Sequence, residues 1–82
     1  MLKITVYGKE GCCLCTKATD MVTALSVDYP IELEYIDITG DEKLFNLYRY
    51  EIPVVALAGD IKFKGKVARL WLEREIRQAL TR

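Results

Sequence analysis

Three cysteines, Cys12, Cys13 and Cys15, lie within four consecutive positions of the segment YGKEGCCLCTKA, residues 7–18. Thiolates exchange with disulfides and also bind soft metal ions, so the cluster is suited to redox or metal chemistry. On a helix, positions i and i+3 share one face, whereas adjacent positions diverge by about 100°. We therefore predict that Cys12 and Cys15 act together and that Cys13 is a bystander.

Cys12 lies where an apolar strand-like run gives way to a helical pattern. The first turn of a helix presents unpaired backbone N–H groups and the positive end of its dipole, which favour a thiolate. Lys9 adds a positive charge in the preceding loop, which Glu10 opposes. The sequence predicts thiol–disulfide exchange, in which Cys12 attacks a substrate disulfide and Cys15 resolves the intermediate.

The elements that position the cysteines follow from the spacing of apolar residues. Alternation predicts strands, and recurrence at i, i+3 and i+4 predicts helices. The predicted order is strand 2–7, helix from about 13, strand 31–38, helix 41–49, strand 53–58, strand 61–64 and helix 67–80. These elements predict a single domain over residues 1–82, an α/β fold with a mixed four-stranded sheet and helices on both faces.

Three local patterns give more detailed expectations. Thr39 and Glu42 match a capping box for a short helix that buries Leu44, Leu47 and Tyr48. A Gly59-Asp60 turn joins two strands, the second of which places Ile61 and Phe63 on one face and lysines on the other, as on a protected edge. In the last helix the predicted inner stripe is Leu72, Ile76, Ala79 and Leu80, and Trp71 is predicted to pack at the helix interface.

Composition limits the partners. The 12 basic and 12 acidic residues give zero net charge, which argues against nucleic acid or a membrane surface as the partner. Residues 60–82 carry most of the basic excess, which indicates a solvated helix and edge strand or a weak anion-attracting face.

The sequence shows no signal peptide and no run of about 18 apolar residues, so we expect a cytoplasmic protein. The lysine-bearing edge strand leads us to expect a monomer.

With YGKEGCCLC after the first strand and EIPVV opening the third, the chain resembles the thioredoxin-like superfamily, in particular small glutaredoxin-like proteins. The resemblance implies a βαβαββα fold with sheet order 2-1-3-4 and thiol–disulfide oxidoreductase activity. It implies a protein or small-molecule disulfide as substrate, glutathione or thioredoxin reductase as electron donor, and no bound cofactor.

The same resemblance implies roles for residues outside the cysteine cluster. Pro53 is expected to be a cis-proline that faces the cysteines, and the backbone of Ile52 to pair with an extended substrate. Lys9 matches the lysine that helps hold the thiolate and the glutathione carboxylate. Cys13-Leu14 and KGKVARLW depart from the segments that glutaredoxins have at these places.

Two other functions use the same features. A Cys-x-x-Cys pair also occurs in copper or zinc carriers, and an iron–sulfur carrier could borrow ligands from glutathione or a second subunit. Three clustered cysteines without histidine do not complete a closed zinc site, so no metal ligands are assigned. A non-catalytic binding domain would use the hairpin edge and Trp71 as its contacts.

Overall fold

The computed structural model describes residues 1–81. Its strands and α-helices follow one another in the order expected from the sequence. They are β1 (Leu2–Gly8), α1 (Cys13–Leu25), β2 (Ile31–Asp37), a 3-10 turn (Ile38–Gly40), α2 (Glu42–Tyr48), β3 (Val54–Leu57), β4 (Asp60–Lys64) and α3 (Arg69–Leu80).

The four strands form one mixed sheet in the order β2-β1-β3-β4. β1 and β2 are parallel, and α1 makes the crossover between them. β3 runs antiparallel to both β1 and β4. The predicted α/β architecture and sheet order are therefore confirmed.

Helices α1 and α3 pack on one face of the sheet and α2 on the other. Because side chains alternate along a strand, every second residue of β1 and β3 faces α1 and α3. Tyr7 points to the opposite face, where its ring lies 5.2 Å from the ring of Tyr48 on α2. The core cluster under α1 and α3 comprises Leu2, Ile4, Val6, Ala18, Val22, Leu25, Ile31, Val55, Leu57, Val67, Leu72 and Ile76.

This core fixes the helix that carries the cysteines. Val22 and Leu25 of α1 are 0% and 1% exposed. Full burial of an aliphatic side chain contributes about 1.5–3 kcal/mol relative to its exposure. The first turn of α1 is therefore held against the sheet by residues two and three turns further along.

The capping box predicted for α2 is wrong. Thr39 lies in the preceding 3-10 turn, and the N-cap is Asp41. A carboxylate oxygen of Asp41 accepts hydrogen bonds from the backbone N–H groups of Lys43 at 2.9 Å and Leu44 at 3.2 Å. Thr39 is not the cap because it lies inside the 3-10 turn and α2 begins only at Glu42; its hydroxyl donates to Asp37, at 2.6 Å.

We expect the change Asp41→Ala to lower the free energy of unfolding by about 1 kcal/mol, because two N–H groups of α2 lose their acceptor. Urea denaturation followed by circular dichroism measures the effect. Glu42→Gln is the matched control, since the carboxylate of Glu42 caps no N–H group, and its effect should stay within about 0.5 kcal/mol. Equal effects of the two changes would contradict the assignment of the cap.

The predicted burial on α2 is also wrong. Within the described structure no residue of α2 is fully buried, and Leu47 is 63% exposed. Leu44 and Tyr48 are half-buried, since they lie one turn apart on the face toward the sheet. The face of α2 that carries Leu44 and Tyr48 covers Tyr7. Leu47 lies outside this face and is therefore exposed to solvent.

The hairpin differs from its prediction in turn and register. The turn residues are Ala58 and Gly59, with φ of 51° and 89°, and Asp60 already pairs with Leu57. A β-bulge then shifts the register, so that Ile61 pairs with Ala56 and Phe63 with Val55. Ile61 and Phe63 therefore lie on opposite faces. Phe63 packs against the core, whereas Ile61 is 44% exposed.

The last helix largely agrees with the sequence. Leu72 and Ile76 are buried, and Ala79 and Leu80 pack against the core. Trp71, however, is 56% exposed, so the prediction that it packs is wrong. It directly precedes Leu72 and is therefore rotated by about 100° from the buried stripe. No helix among residues 1–81 has both the length and the apolar character needed to cross a membrane.

Candidate active site

The cysteine cluster lies between the end of β1 and the first turn of α1. Cys12 is the N-cap of α1, with extended backbone angles, and its Sγ accepts a hydrogen bond from the backbone N–H of Cys15 at 3.2 Å. The helix dipole reinforces this contact, because its positive end faces the same sulfur. Both interactions stabilise a negative charge on Cys12.

Cys12 and Cys15 form a disulfide, with their Cα atoms 5.2 Å apart. Such a separation lies within the usual range for disulfides. The predicted pairing is confirmed. Cys13 is free and exposed, and it is the first residue of α1.

The two bonded cysteines differ in accessibility. Cys12 is half-buried, whereas Cys15 is 1% exposed. A reagent arriving from solvent therefore reaches Cys12 first. The arrangement therefore separates an accessible sulfur at the helix start from a buried sulfur one turn further along.

Gly8, the last residue of β1, lies directly beneath Cys15. A Cβ atom at this position would lie 2.9 Å from both Cβ and Sγ of Cys15, and 2.8 Å from the hydroxyl oxygen of Tyr35. Real Cβ atoms do not approach other atoms so closely, so only glycine fits here without movement of α1. A glycine that ends a strand beside a functional loop is a signal for such a close approach.

Tyr35 is a polar residue of this site that the sequence does not single out. It lies on β2, where its Cα partner on β1 is Val6, two residues before Gly8. Partial burial and the nearby carboxylate of Asp37 raise the pKa of the Tyr35 phenol. The alternation of β2 places Tyr35 in the row of Ile31 and Leu33, but no local pattern shows that this row ends next to Cys15.

Pro53 lies at the same end of the sheet as the cysteines, where β1 ends and β3 begins. The Ile52–Pro53 peptide bond is cis, as the resemblance implied. Val54 pairs with Tyr7 in the antiparallel register, so Pro53 lies beside the end of β1.

The backbone of Ile52 is only half available to a substrate. Its N–H donates to the carbonyl oxygen of Tyr48 at 3.1 Å. Its carbonyl oxygen accepts no backbone hydrogen bond in the described part of the chain. The pairing with a substrate that the resemblance led us to expect of Ile52 is therefore limited to its carbonyl oxygen while its N–H is bonded to Tyr48.

Lys9 is exposed in the loop between β1 and α1. Its carbonyl oxygen accepts a hydrogen bond from the N–H of Cys12 at 3.4 Å, which closes the loop. Within residues 1–81 its ammonium group forms no ion pair. Over the same residues, no three side chains of the metal-binding types converge on a common point.

Comparisons with solved structures agree with the fold. Protein Ne2328 from Nitrosomonas europaea is 28% identical, with a TM-score of 0.77 over 92% of this chain and 91% of that protein. Reduced glutaredoxin from Escherichia coli is 17% identical, with a TM-score of 0.66 over 98% and 99% of the two chains. A mutant thioredoxin from Halobacterium salinarum is 17% identical, with a TM-score of 0.69 over 94% and 73%.

No curated protein sequence gives a significant match. A family model, the Glutaredoxin-like domain (DUF836), matches residues 3–77. The matched segment contains the cysteine pair, Gly8, Tyr35 and the cis-proline. The chain therefore belongs to the Glutaredoxin-like domain (DUF836) family, within the thioredoxin-like superfamily of redox proteins.

Proposed function

We propose that the protein is a dithiol–disulfide oxidoreductase in which Cys12 is the nucleophile and Cys15 the resolving thiol. One observation carries the proposal: the accessible Cys12 Sγ caps α1 and accepts the N–H of Cys15, whereas Cys15 is buried one turn away. This asymmetry supports the two proposed roles, because the nucleophile must meet the substrate and the resolving thiol needs to reach only Cys12.

The reaction balances without a cofactor. The Cys12 thiolate attacks one sulfur of the substrate disulfide, forms a mixed disulfide and releases the other sulfur as a thiolate. Cys15 then loses its proton and attacks Cys12 Sγ, which releases the second substrate thiolate. Two electrons and two protons pass to the substrate, and the protein is left with the Cys12–Cys15 disulfide.

Binding of the substrate rests on the residues beside the disulfide. The free carbonyl oxygen of Ile52 can accept one hydrogen bond from an amide of an extended peptide, next to Pro53. Lys9, exposed in the adjoining loop, can attract a carboxylate such as those of glutathione. Glutathione or a thioredoxin reductase would then reduce the disulfide by attack on Cys12.

The activation of Cys12 can be tested by its alkylation with iodoacetamide as a function of pH. The protein carrying Cys13→Ser and Cys15→Ser retains one thiol and the backbone N–H that contacts it. We expect alkylation to begin at lower pH than in the unfolded peptide 7–18 with the same two substitutions, because the helix start stabilises the thiolate. Equal pH midpoints for protein and peptide would refute the activation.

Electron transfer is tested separately with the unmodified sequence. Reduction of insulin disulfides would be followed with glutathione plus its reductase, or with thioredoxin reductase, as the source of electrons. Turnover with either source supports the proposed function and identifies the donor. Absence of turnover with both, in protein whose cysteines are reduced at the start, would refute it.

A further inference from the structure

The resolving step requires a charge on a buried sulfur. Cys15 must become a thiolate before it attacks Cys12, yet it is 1% exposed, and burial disfavours the charged form of a thiol. The backbone N–H groups at the start of α1 do not solve this difficulty, because the N–H of Cys15 itself donates to the sulfur of Cys12. Cys15 therefore needs another hydrogen-bond donor.

Tyr35 on β2 brings a side-chain hydroxyl close to this sulfur. Its oxygen and Cys15 Sγ border the same small space above Gly8, at 2.8 and 2.9 Å from the position that a Cβ atom of Gly8 would take. A side chain at Gly8 would separate the two groups. In the oxidised protein no hydrogen bond joins them within the described residues, and a disulfide sulfur is a weak acceptor.

We propose that the hydroxyl of Tyr35 donates a hydrogen bond to the Cys15 thiolate and thereby assists the resolving step. The inference rests on the proposed function, since it concerns the second half of that reaction. Hydrogen bonds to a charged acceptor are markedly stronger than those between neutral groups, so the bond forms when Cys15 loses its proton.

The phenol is suited to act as a donor over the working range of pH. Partial burial and then the charge of Asp37 raise the pKa of Tyr35, so the hydroxyl keeps its proton at neutral and mildly alkaline pH. Asp37 itself is held as a carboxylate, because hydrogen bonds from Thr39 lower its pKa. The other titratable groups on the surrounding elements face solvent or the opposite side of the sheet: Lys3, Tyr7, Lys9, Glu10, Cys13, Lys17, Asp20, Glu32 and Glu34.

The two chemical steps can be observed separately with 5,5′-dithiobis(2-nitrobenzoic acid). Attack by Cys12 releases one coloured thionitrobenzoate, and attack by Cys15 on the mixed disulfide releases a second. The reduced protein carrying Cys13→Ser is used throughout, so that the free third thiol does not contribute. Tyr35→Phe is compared with Tyr50→Phe, which removes a hydroxyl from a side chain that is 86% exposed.

For Tyr35→Phe we expect the first phase to change by less than about twofold. Loss of a charge-assisted hydrogen bond should lower the thiolate population of Cys15 about tenfold at neutral pH. A less acidic thiol gives a more nucleophilic thiolate, which offsets part of this loss, so the second phase should slow by roughly threefold to fourfold. At alkaline pH, where Cys15 is fully ionised in both proteins, the second phase should instead be roughly threefold faster in Tyr35→Phe, because its thiolate is the more nucleophilic.

This reversal distinguishes a hydrogen bond from a purely structural role, which would slow the second phase at every pH. The half-exposed ring is kept in Tyr35→Phe, and a thermal melt checks that the variant is folded. A second phase with the pH profile of the Tyr50→Phe control, or a slowing independent of pH, would overturn the inference. Release of only one thionitrobenzoate by the Cys13→Ser protein itself would instead refute the proposed function.

Discussion

Replacing Cys12 by serine is expected to reduce disulfide reduction by at least about 10³-fold. A serine hydroxyl remains protonated at neutral pH and cannot form a disulfide, and Cys15 is too buried to take over the attack on an external substrate. Initial rates of insulin reduction with dithiothreitol as donor, corrected for the uncatalysed reaction, measure the loss.

Cys13→Ser is the matched control for this prediction. Cys13 lies next to Cys12 in the chain and is more exposed, yet it takes no part in the disulfide. We expect its replacement to change the rate by less than about twofold, because adjacent helical positions diverge by about 100°. A loss for Cys13→Ser as severe as for Cys12→Ser would contradict the assignment of the nucleophile.

Cys15→Ser separates the two steps of the same reaction. The variant keeps the backbone N–H that contacts Cys12 and loses the resolving thiol. It should therefore accumulate a mixed disulfide with the substrate, visible by mass spectrometry, and release it only when an external thiol is added. Failure to trap any mixed disulfide would contradict the role of Cys15.

The features readable from the sequence are those set by local pattern. The spacing of Cys12 and Cys15 at a strand-to-helix junction predicted their disulfide, and the alternation of residues 2–7 predicted β1. Each depends on a periodicity that neighbouring residues determine.

The features missed depend on contacts between distant segments or on competition between nearby caps. The bulge between Val55 and Ala56 shifts the register in which β3 pairs with β4. Such a shift depends on both strands together, so the sequence of either strand alone does not predict it. Asp41 takes the place of Thr39 as cap because Ile38–Gly40 form a 3-10 turn and α2 begins only at Glu42. The approach of Tyr35 to Cys15 follows from the parallel register of β1 and β2, which is set by the packing of the whole sheet.

Gly8→Ala is expected to lower the free energy of unfolding by about 1–3 kcal/mol, the usual cost of forcing one extra carbon into a packed site. The hydroxyl of Tyr35 can swing away, but Cys15 Cβ is fixed by a helix whose Val22 and Leu25 are buried in the core. The first turn of α1 must therefore shift. Urea denaturation of the oxidised protein measures the change.

Gly40→Ala is the matched control, because a Cβ atom there has no neighbour within 4 Å. It should leave the stability unchanged or raise it by up to about 1 kcal/mol, through the smaller entropy of the unfolded chain. Gly8→Ala should also slow the resolving step relative to this control, since its methyl group displaces Cys15 Sγ. Unchanged stability and an unchanged second phase in Gly8→Ala would mean that the space above Gly8 is wider than the structure indicates. The contact between β1 and the first turn of α1 would then not determine the position of the resolving sulfur.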